Sequence, residues 1–186
     1  MSFLEMAKKR YSARKFTEQQ VEQEKIDQIL EVAKIAPTAH NNQPQHIIVI
    51  NEPQMLEKLK DCTAYTFHAP LNFLICYDSS KSWVRAADNK EMGHVDAAII
   101  ATHMMMMIDD IGLGATWVGG FDPAKVKALF NLPDNIIPVA FLPTGYPVDP
   151  PRVSPLHEQR IAISDFVSYN KFWFNPRLGC RKMQIS

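Results

Sequence analysis

The sequence predicts an α+β fold, in which helices flank a sheet. Segments with helical apolar spacing alternate along the chain with short apolar, β-branched runs, and such alternation is typical of mixed α/β and α+β domains. The chain has 186 residues, a length that fits one domain with an apolar core. Hydrophobic residues make up 46% and charged residues 22% of the chain, as in ordinary globular proteins.

In the first half, a short helix is expected over 2–9. Thr17 and Gln20 have the spacing of a capping box, which would begin a second helix. Pro37 would end that helix because proline lacks the amide hydrogen. The next elements expected are a strand, a helix and a strand, over 46–50, 53–61 and 72–77.

In the second half, a long helix is expected over about 93–111, ended by Gly112. Asp122 followed by Pro123 is typical of an N-cap and a first helical position, so a helix should cover 123–130. The other elements expected are strands over 115–118 and 136–142, and an extended, proline-rich segment after Tyr146.

Charge and cysteine content argue against several classes of protein. The 20 basic and 20 acidic residues balance, so the composition does not indicate binding to nucleic acid or to a membrane surface. The three cysteines form no C-x-x-C pair, which favours a cytoplasmic protein without a disulfide framework. The N-terminus lacks the apolar run of a signal peptide. Charges interrupt the most apolar stretch, 97–120, which predicts a buried helix rather than a membrane span.

The first candidate site is the segment from Arg10 to Arg14. In an extended chain, alternate side chains face the same way, about 6.6 Å apart. Arg10, Ser12 and Arg14 would then present two guanidinium groups and a hydroxyl on one face, an arrangement that suits a phosphate. The alternative is a solvated basic stretch that continues Lys8 and Lys9.

Two further segments could bind a flat, polar ligand. Residues 36–44 predict a rigid, proline-bounded loop whose amide side chains can bind a polar ring edge; the alternative is a plain connector. Gly119 and Gly120 would let such a ligand approach the backbone closely, although their spacing does not match the G-x-G-x-x-G pattern. The alternative for these glycines is a tight strand-to-helix turn.

The sequence gives little support to a metal or haem site. The four methionines of 104–107 span a full helical turn, which is typical of core and interface packing. The six histidines show no metal-binding spacing, and no nucleophile motif is present. A metal- or haem-binding protein therefore stays a rival interpretation, and no metal ligand is predicted.

Taken in order, these motifs resemble those of the nitroreductase family of FMN-dependent NAD(P)H oxidoreductases. The motifs are Arg10-x-Ser12-x-Arg14-x-Phe16, Ala36-Pro37-Thr38-x-x-Asn41-x-Gln43-Pro44, Gly112-x-Gly114-x-x-Trp117-Val118-Gly119-Gly120-Phe121-Asp122-Pro123 and Gly145-Tyr146-Pro147. The resemblance implies a mixed sheet flanked by helices and an intertwined homodimer with FMN sites at its interface. Residues 1–174 are expected to form the FMN-binding domain and residues 175–186 a C-terminal tail.

The resemblance also implies which residues bind FMN. Those expected at the phosphate and ribityl end are Arg10, Tyr11, Ser12, Arg14 and Arg152. Those expected to reach the flavin ring from the partner subunit are Pro37, Thr38, Ala39 and Asn41. Those expected along the ring are Trp117, Val118, Gly119 and Gly120, where backbone donors would stabilise charge on the reduced flavin. No catalytic acid or base is assigned.

The activity implied is hydride transfer from NAD(P)H, through bound FMN, to an acceptor such as a nitroaromatic or a quinone. Because no separate nucleotide-binding motif is present, we expect both substrates to use one flavin face in turn, which is a ping-pong scheme. The alternatives are a non-catalytic flavin store or redox sensor built from the same residues, and a specialised chemistry such as reductive dehalogenation.

Overall fold

The computed structural model describes residues 2–172, and the chain divides into two compact units, Met1–Val153 and Ser154–Ser186. Within the described residues, the helices of the first unit are α1 Phe3–Lys9, α2 Gln23–Ile35, α3 Pro53–Lys58, α4 Gly93–Asp110 and α5 Pro123–Phe130. Its strands are β1 Gln45–Ile50, β2 Leu71–Asp78, β3 Val84–Arg85, β4 Lys90–Glu91, β5 Gly114–Ala115 and β6 Ile136–Gly145. The α+β class predicted from the sequence is confirmed.

Four strands form one sheet in the order β1-β2-β6-β5, with antiparallel pairing at each step. A parallel contact enters at the β5 edge, where Ser12 bridges Ala115. Strands β3 and β4 form a separate hairpin between β2 and α4. The sequence did not predict this hairpin, because its two-residue strands are too short to show alternation.

Helices cover both faces of the sheet, which explains why β2 is buried from Leu71 to Tyr77 and is mostly apolar. Helices α2 and α4 pack on one face, where Phe73 and Ile75 are fully buried together with Met104. On the other face, Leu74 packs with Val126 of α5 in a second, smaller cluster. The sheet therefore lies between two apolar layers, and its β5 edge carries the segment that contains Ser12.

The capping-box prediction at Thr17 is wrong, since α2 begins only at Gln23. The Thr17 N–H donates to the Tyr146 carbonyl at 2.8 Å, so a tertiary contact holds this segment extended. The capping box lies instead at α1, where the Ser2 hydroxyl accepts from the Glu5 N–H and the Glu5 carboxylate accepts from the Ser2 N–H. The strand expected over 115–118 is also shorter, because β5 ends at Ala115.

The second unit is described from Ser154 to Phe172 and contains two short 3-10 turns, Pro155–His157 and Ile163–Asp165. Several of its large apolar side chains are exposed: Leu156, Ile161, Ile163, Phe166, Tyr169 and Phe172. The predicted domain, 1–174, extends across both units and stays a prediction. The tail expected over 175–186 lies outside the described residues. Among residues 2–172, no helix is long and apolar enough to cross a bilayer.

Candidate functional site

The segment Arg10–Arg14 runs extended along the β5 edge of the sheet. Ser12 bridges Ala115, and the Ala13 N–H donates to the Ala115 carbonyl at 3.0 Å. A Cβ atom on Gly114 would lie only 2.6 Å from the Cβ of Ala13. The two segments approach so closely that only glycine fits at position 114. This contact attaches the arginine segment to the sheet.

Polar groups at the start of this segment are buried without partners. The Arg10 Nη1 and the Tyr11 hydroxyl are both buried and make no hydrogen bond among the described residues. Burial, and then the charge of Asp109, raise the pKa of Tyr11. Burial also raises the pKa of Asp109, against the opposing effects of Lys9 and Arg10. An unpaired buried guanidinium N–H is unfavourable by about 1–3 kcal/mol, so this position favours an anionic ligand.

The other basic side chains of the predicted phosphate site are exposed. Arg14 folds back and its Nη1 donates to the Ser12 carbonyl at 3.3 Å. The chain that leads to Arg152 lies beside this segment, because Phe16 bridges Pro147 in antiparallel fashion. Arg152 is exposed and has no hydrogen-bond partner within residues 2–172, so its predicted phosphate contact stays a prediction.

The turn at Gly119 and Gly120 is fixed by the loop that precedes β2. The Thr63 hydroxyl donates to the Gly120 carbonyl at 2.6 Å, and the Asp122 N–H donates to the Cys62 carbonyl at 2.9 Å. Trp117 and both glycines are exposed, whereas Val118 is buried and bridges Phe141. The turn therefore presents an exposed backbone on a rigid support.

Tyr65 is a residue of this site that the sequence analysis missed. A Cβ atom on Gly120 would lie 2.9 Å from Tyr65 Cε2, whereas one on Gly119 would meet nothing closer than Trp117 Nε1 at 3.6 Å. The Tyr65 side chain is 52% exposed, so its ring covers Gly120 and still faces solvent. An aromatic residue in a short polar loop is a sign of a binding surface, but the sequence could not show that Tyr65 lies against the Gly119–Gly120 turn.

The loop that contains Pro37, Thr38, Ala39 and Asn41 lies elsewhere in the protomer. It precedes β1, at the sheet edge opposite to β5. The Ala39 N–H donates to Asp96 Oδ1 at 3.0 Å, which ties the loop to the first turn of α4. His40 stacks on Trp83, with 5.5 Å between ring centroids.

Helix α4 shows how far apart the two halves of the predicted site are. Asp96, near its N-terminus, holds the 37–41 loop, and Asp109, near its C-terminus, interacts electrostatically with Tyr11. At about 1.5 Å per residue, these aspartates are separated by about 20 Å along the helix. One protomer therefore brings residues 10–14 next to Gly114 and Ala115 but leaves 37–41 at a distance.

The features that could support a metal or thiol chemistry are buried or dispersed. Within residues 2–172, no group of three His, Cys, Asp or Glu side chains is placed to share a metal ion. Met104 is fully buried in the core, and Met105, Met106 and Met107 are half-buried. Burial raises the pKa of the Cys76 thiol to about 12, which makes this cysteine unreactive.

Comparisons with known proteins agree on one family. The model of the nitroreductase family matches residues 7–70 and 62–146. A curated relative from Methanothermobacter thermautotrophicus is 32% identical over 170 residues, covering 85% of this chain and 84% of that protein. Its name assigns it provisionally as an NADH dehydrogenase/NAD(P)H nitroreductase. The FMN reductase [NAD(P)H] of Bacillus subtilis is 26% identical over 156 residues, covering 74% of this chain and 63% of that protein.

Solved structures support the same assignment. A nitroreductase family protein from Clostridium difficile 630 has a TM-score of 0.87 and 41% identity, covering 92% of this chain and 100% of that chain. An FMN-dependent nitroreductase from Clostridium difficile R20291 has a TM-score of 0.76 at 23% identity, covering 91% of this chain and 100% of that chain; at that identity the likeness concerns the fold. By family model, relatives and fold, the chain belongs to the nitroreductase family.

Proposed function

We propose that this protein is an FMN-dependent oxidoreductase that takes hydride from NAD(P)H and reduces a small organic acceptor such as a nitroaromatic or a quinone. The observation that carries the proposal is the arginine segment held on the β5 edge through the Ser12–Ala115 bridge, with the glycine turn following β5 shortly afterwards in the chain. This edge offers cationic donors at one end and an exposed backbone at the other. The names of the M. thermautotrophicus and B. subtilis relatives support the proposal.

The residues present fit FMN. Its phosphate needs charged donors, and Arg10 supplies a buried guanidinium N–H without a partner, close to Ser12 and Arg14. Its flat ring needs a surface without side chains, and a Cβ atom on Gly119 would have no contact under 3.6 Å. Residues 10–14 would hold the phosphate and ribityl end, and 117–120 would lie along the ring.

When bound, FMN supplies the hydride-accepting and hydride-donating chemistry, which no side chain of the protein can provide. The protein contributes position and polarity. Thr63 holds the Gly120 carbonyl, which restrains the turn whose exposed Gly119 and Gly120 amides would face the ring. Preorganised N–H donors of this kind stabilise negative charge that develops during the reaction.

A second copy of the chain would complete the site. The 37–41 loop is about 20 Å along α4 from the arginine segment, so a site that contains both requires two protomers. An apolar groove of about 460 Å³ runs along α1, α2 and α4 and is lined in part by Phe3, Met6 and Met107. The Phe3 side chain is 70% exposed, and we propose that this surface is covered in a homodimer with two FMN sites.

The kinetic order distinguishes an enzyme from a flavin store or sensor. If NAD(P)H and the acceptor occupy the same pocket in turn, initial rates at several fixed acceptor concentrations should give parallel double-reciprocal plots. Each substrate should also inhibit competitively at high concentration. Mixing the flavin-loaded protein with NADH or NADPH alone should bleach the flavin absorbance within one turnover.

Two results would contradict this scheme. Intersecting plots would mean that both substrates bind together, and a second binding site would then have to exist. A flavin absorbance that neither NADH nor NADPH changes would favour the store or sensor.

The reducing compartment expected from the cysteines is consistent with Cys62 and Cys76, which are both buried, unpaired thiols.

Alanine at Gly119 and at Gly120 should have different effects. Gly119→Ala has room for its Cβ atom, so it should preserve the fold but place a methyl group where the ring would lie, weakening FMN binding about tenfold. Gly120→Ala should displace the Tyr65 ring and change the visible circular dichroism of bound FMN. Thermal unfolding of the apoproteins is the control. Unchanged FMN affinity in Gly119→Ala would show that the glycines serve only the turn.

A further inference from the structure

The loop predicted to reach the flavin has an unusual backbone. His40, Asn41 and Gln43 have φ angles of 53°, 55° and 49°, in the left-handed region that non-glycine residues seldom adopt. A short stretch with several such residues does not keep its shape through local preference alone. It persists only where surrounding contacts determine it.

Contacts from inside and outside the loop hold this shape. Within the loop, the Gln43 N–H donates to Thr38 Oγ1 at 3.1 Å. From outside, Asp96 Oδ1 accepts the Ala39 N–H at 3.0 Å, and the Trp83 ring stacks on His40 at an interplanar angle of 19°. The external contacts therefore come from the β2–α4 connection and from the first turn of α4.

Asp96 is the most deeply buried of these groups. The residue is 2% exposed, and its Oδ2 atom is buried with no hydrogen-bond partner among the described residues. Burial of an incompletely hydrogen-bonded carboxylate is unfavourable, so stability of α4 alone does not explain an aspartate here. Its place in the first turn of an 18-residue helix offsets part of this penalty, since the helix N-terminus favours negative charge.

We propose that Asp96 is a positioning residue of the flavin site. Through the Ala39 N–H it fixes the left-handed loop, residues 37–43, in the shape that meets the flavin of the partner's site. Asp96 belongs to α4, and Asp109 near the other end of the same helix interacts electrostatically with Tyr11 of the arginine segment. This inference rests on the proposed function.

The test compares Asp96→Ala, which removes the acceptor, with Asp96→Asn, which keeps an acceptor oxygen of the same size. Hydrogen exchange of the apoprotein measures how well the loop amides are protected, and FMN titration measures the affinity of the flavin site. In Asp96→Ala, amides of 37–43 should exchange at least tenfold faster, with unchanged protection in β2 and β6, and FMN should bind at least tenfold more weakly. Asp96→Asn should restore both within about threefold.

Two further variants keep the test decisive. Asp134→Ala removes an exposed carboxylate far from the loop in sequence and should match the wild type. Trp83→Ala loosens the same loop from the other side without changing α4, and it should also accelerate exchange in 37–43 and weaken FMN binding. It replaces Asp96→Ala if that variant fails to fold.

The inference would be overturned if Asp96→Ala showed the same hydrogen exchange in residues 37–43 and the same FMN affinity as the wild type. It would also be overturned by an Asp96→Asn variant that loses protection in β2 and β6, because Asp96 would then serve the fold as a whole. Failure of the proposed function has a different signature: the wild-type protein itself would bind no FMN, while the exchange measurements would still report on the contact between Asp96 and the loop.

Discussion

Replacing Arg10 by alanine is expected to weaken FMN binding ten- to a hundredfold. The Arg10 Nη1 is buried without a partner, so its hydrogen-bonding capacity is available to the phosphate. A hydrogen bond to a charged group contributes about 1.5–3 kcal/mol, and about 1.4 kcal/mol corresponds to a factor of ten in affinity. Arg14→Ala should act in the same direction, and a titration of apoprotein with FMN measures both.

Lys15→Ala is a matched control for the arginine variants. It removes one positive charge from the same segment, but Lys15 is exposed, and only its backbone carbonyl takes part in the contact with Val148. Its effect should be small and should disappear at high salt, because exposed charges are screened. If both arginine variants bind FMN as tightly as the wild type, residues 10–14 are only a solvated basic stretch.

A mixture of two variants with impaired sites is expected to recover activity, measured at an FMN concentration that fills only intact sites. Arg10→Ala damages the phosphate end of a site, and Asn41→Trp places a bulky side chain on the exposed loop that would complete the partner's site. If each site takes these parts from different protomers, a heterodimer of the two variants has one intact site and one doubly damaged site. Random assortment would then give about a quarter of the wild-type sites.

Coexpression with two affinity tags allows the heterodimer to be purified, and NAD(P)H oxidation with an added quinone reports its activity. Each variant alone, purified as a homodimer, gives the baseline, and light scattering verifies the dimer. A heterodimer that is no more active than the two parents would mean that loop and arginine segment serve the same site from one chain. The separation of about 20 Å along α4 argues against that result.

The elements predicted from the sequence with good accuracy were those with strong local signals. Asp122 followed by Pro123 predicted α5, and the structure shows the Asp122 carboxylate accepting from the Ala124 and Lys125 N–H groups. Gly112 was predicted to end α4; it follows the C-cap residue Ile111 and has a φ of +80°. These signals depend on residues within one helical turn of each other, so they can be read from the sequence without knowledge of the tertiary structure.

The interactions that shape the candidate site are of another kind. Thr63 with Gly120, and Ala39 with Asp96, each join residues that are 57 positions apart. The failed prediction at Thr17 has a similar cause, because its N–H, which the Gln20 side chain of a capping box would have accepted, donates instead to the Tyr146 carbonyl. Local preference is weak beside a hydrogen bond and burial provided by a distant segment.

By itself, the sequence determined the α+β class, the bounds of most helices and strands, and the nitroreductase motifs in their order. Only the tertiary structure decided that the Ser12 segment lies beside Ala115, that Tyr65 covers Gly120, and that the length of α4 separates the 37–41 loop from the Ser12 segment. The physical reason is that a motif specifies only which chemical groups occur and how far apart they are along the sequence. Packing of the sheet against α4 decides which of those chemical groups lie close together in space.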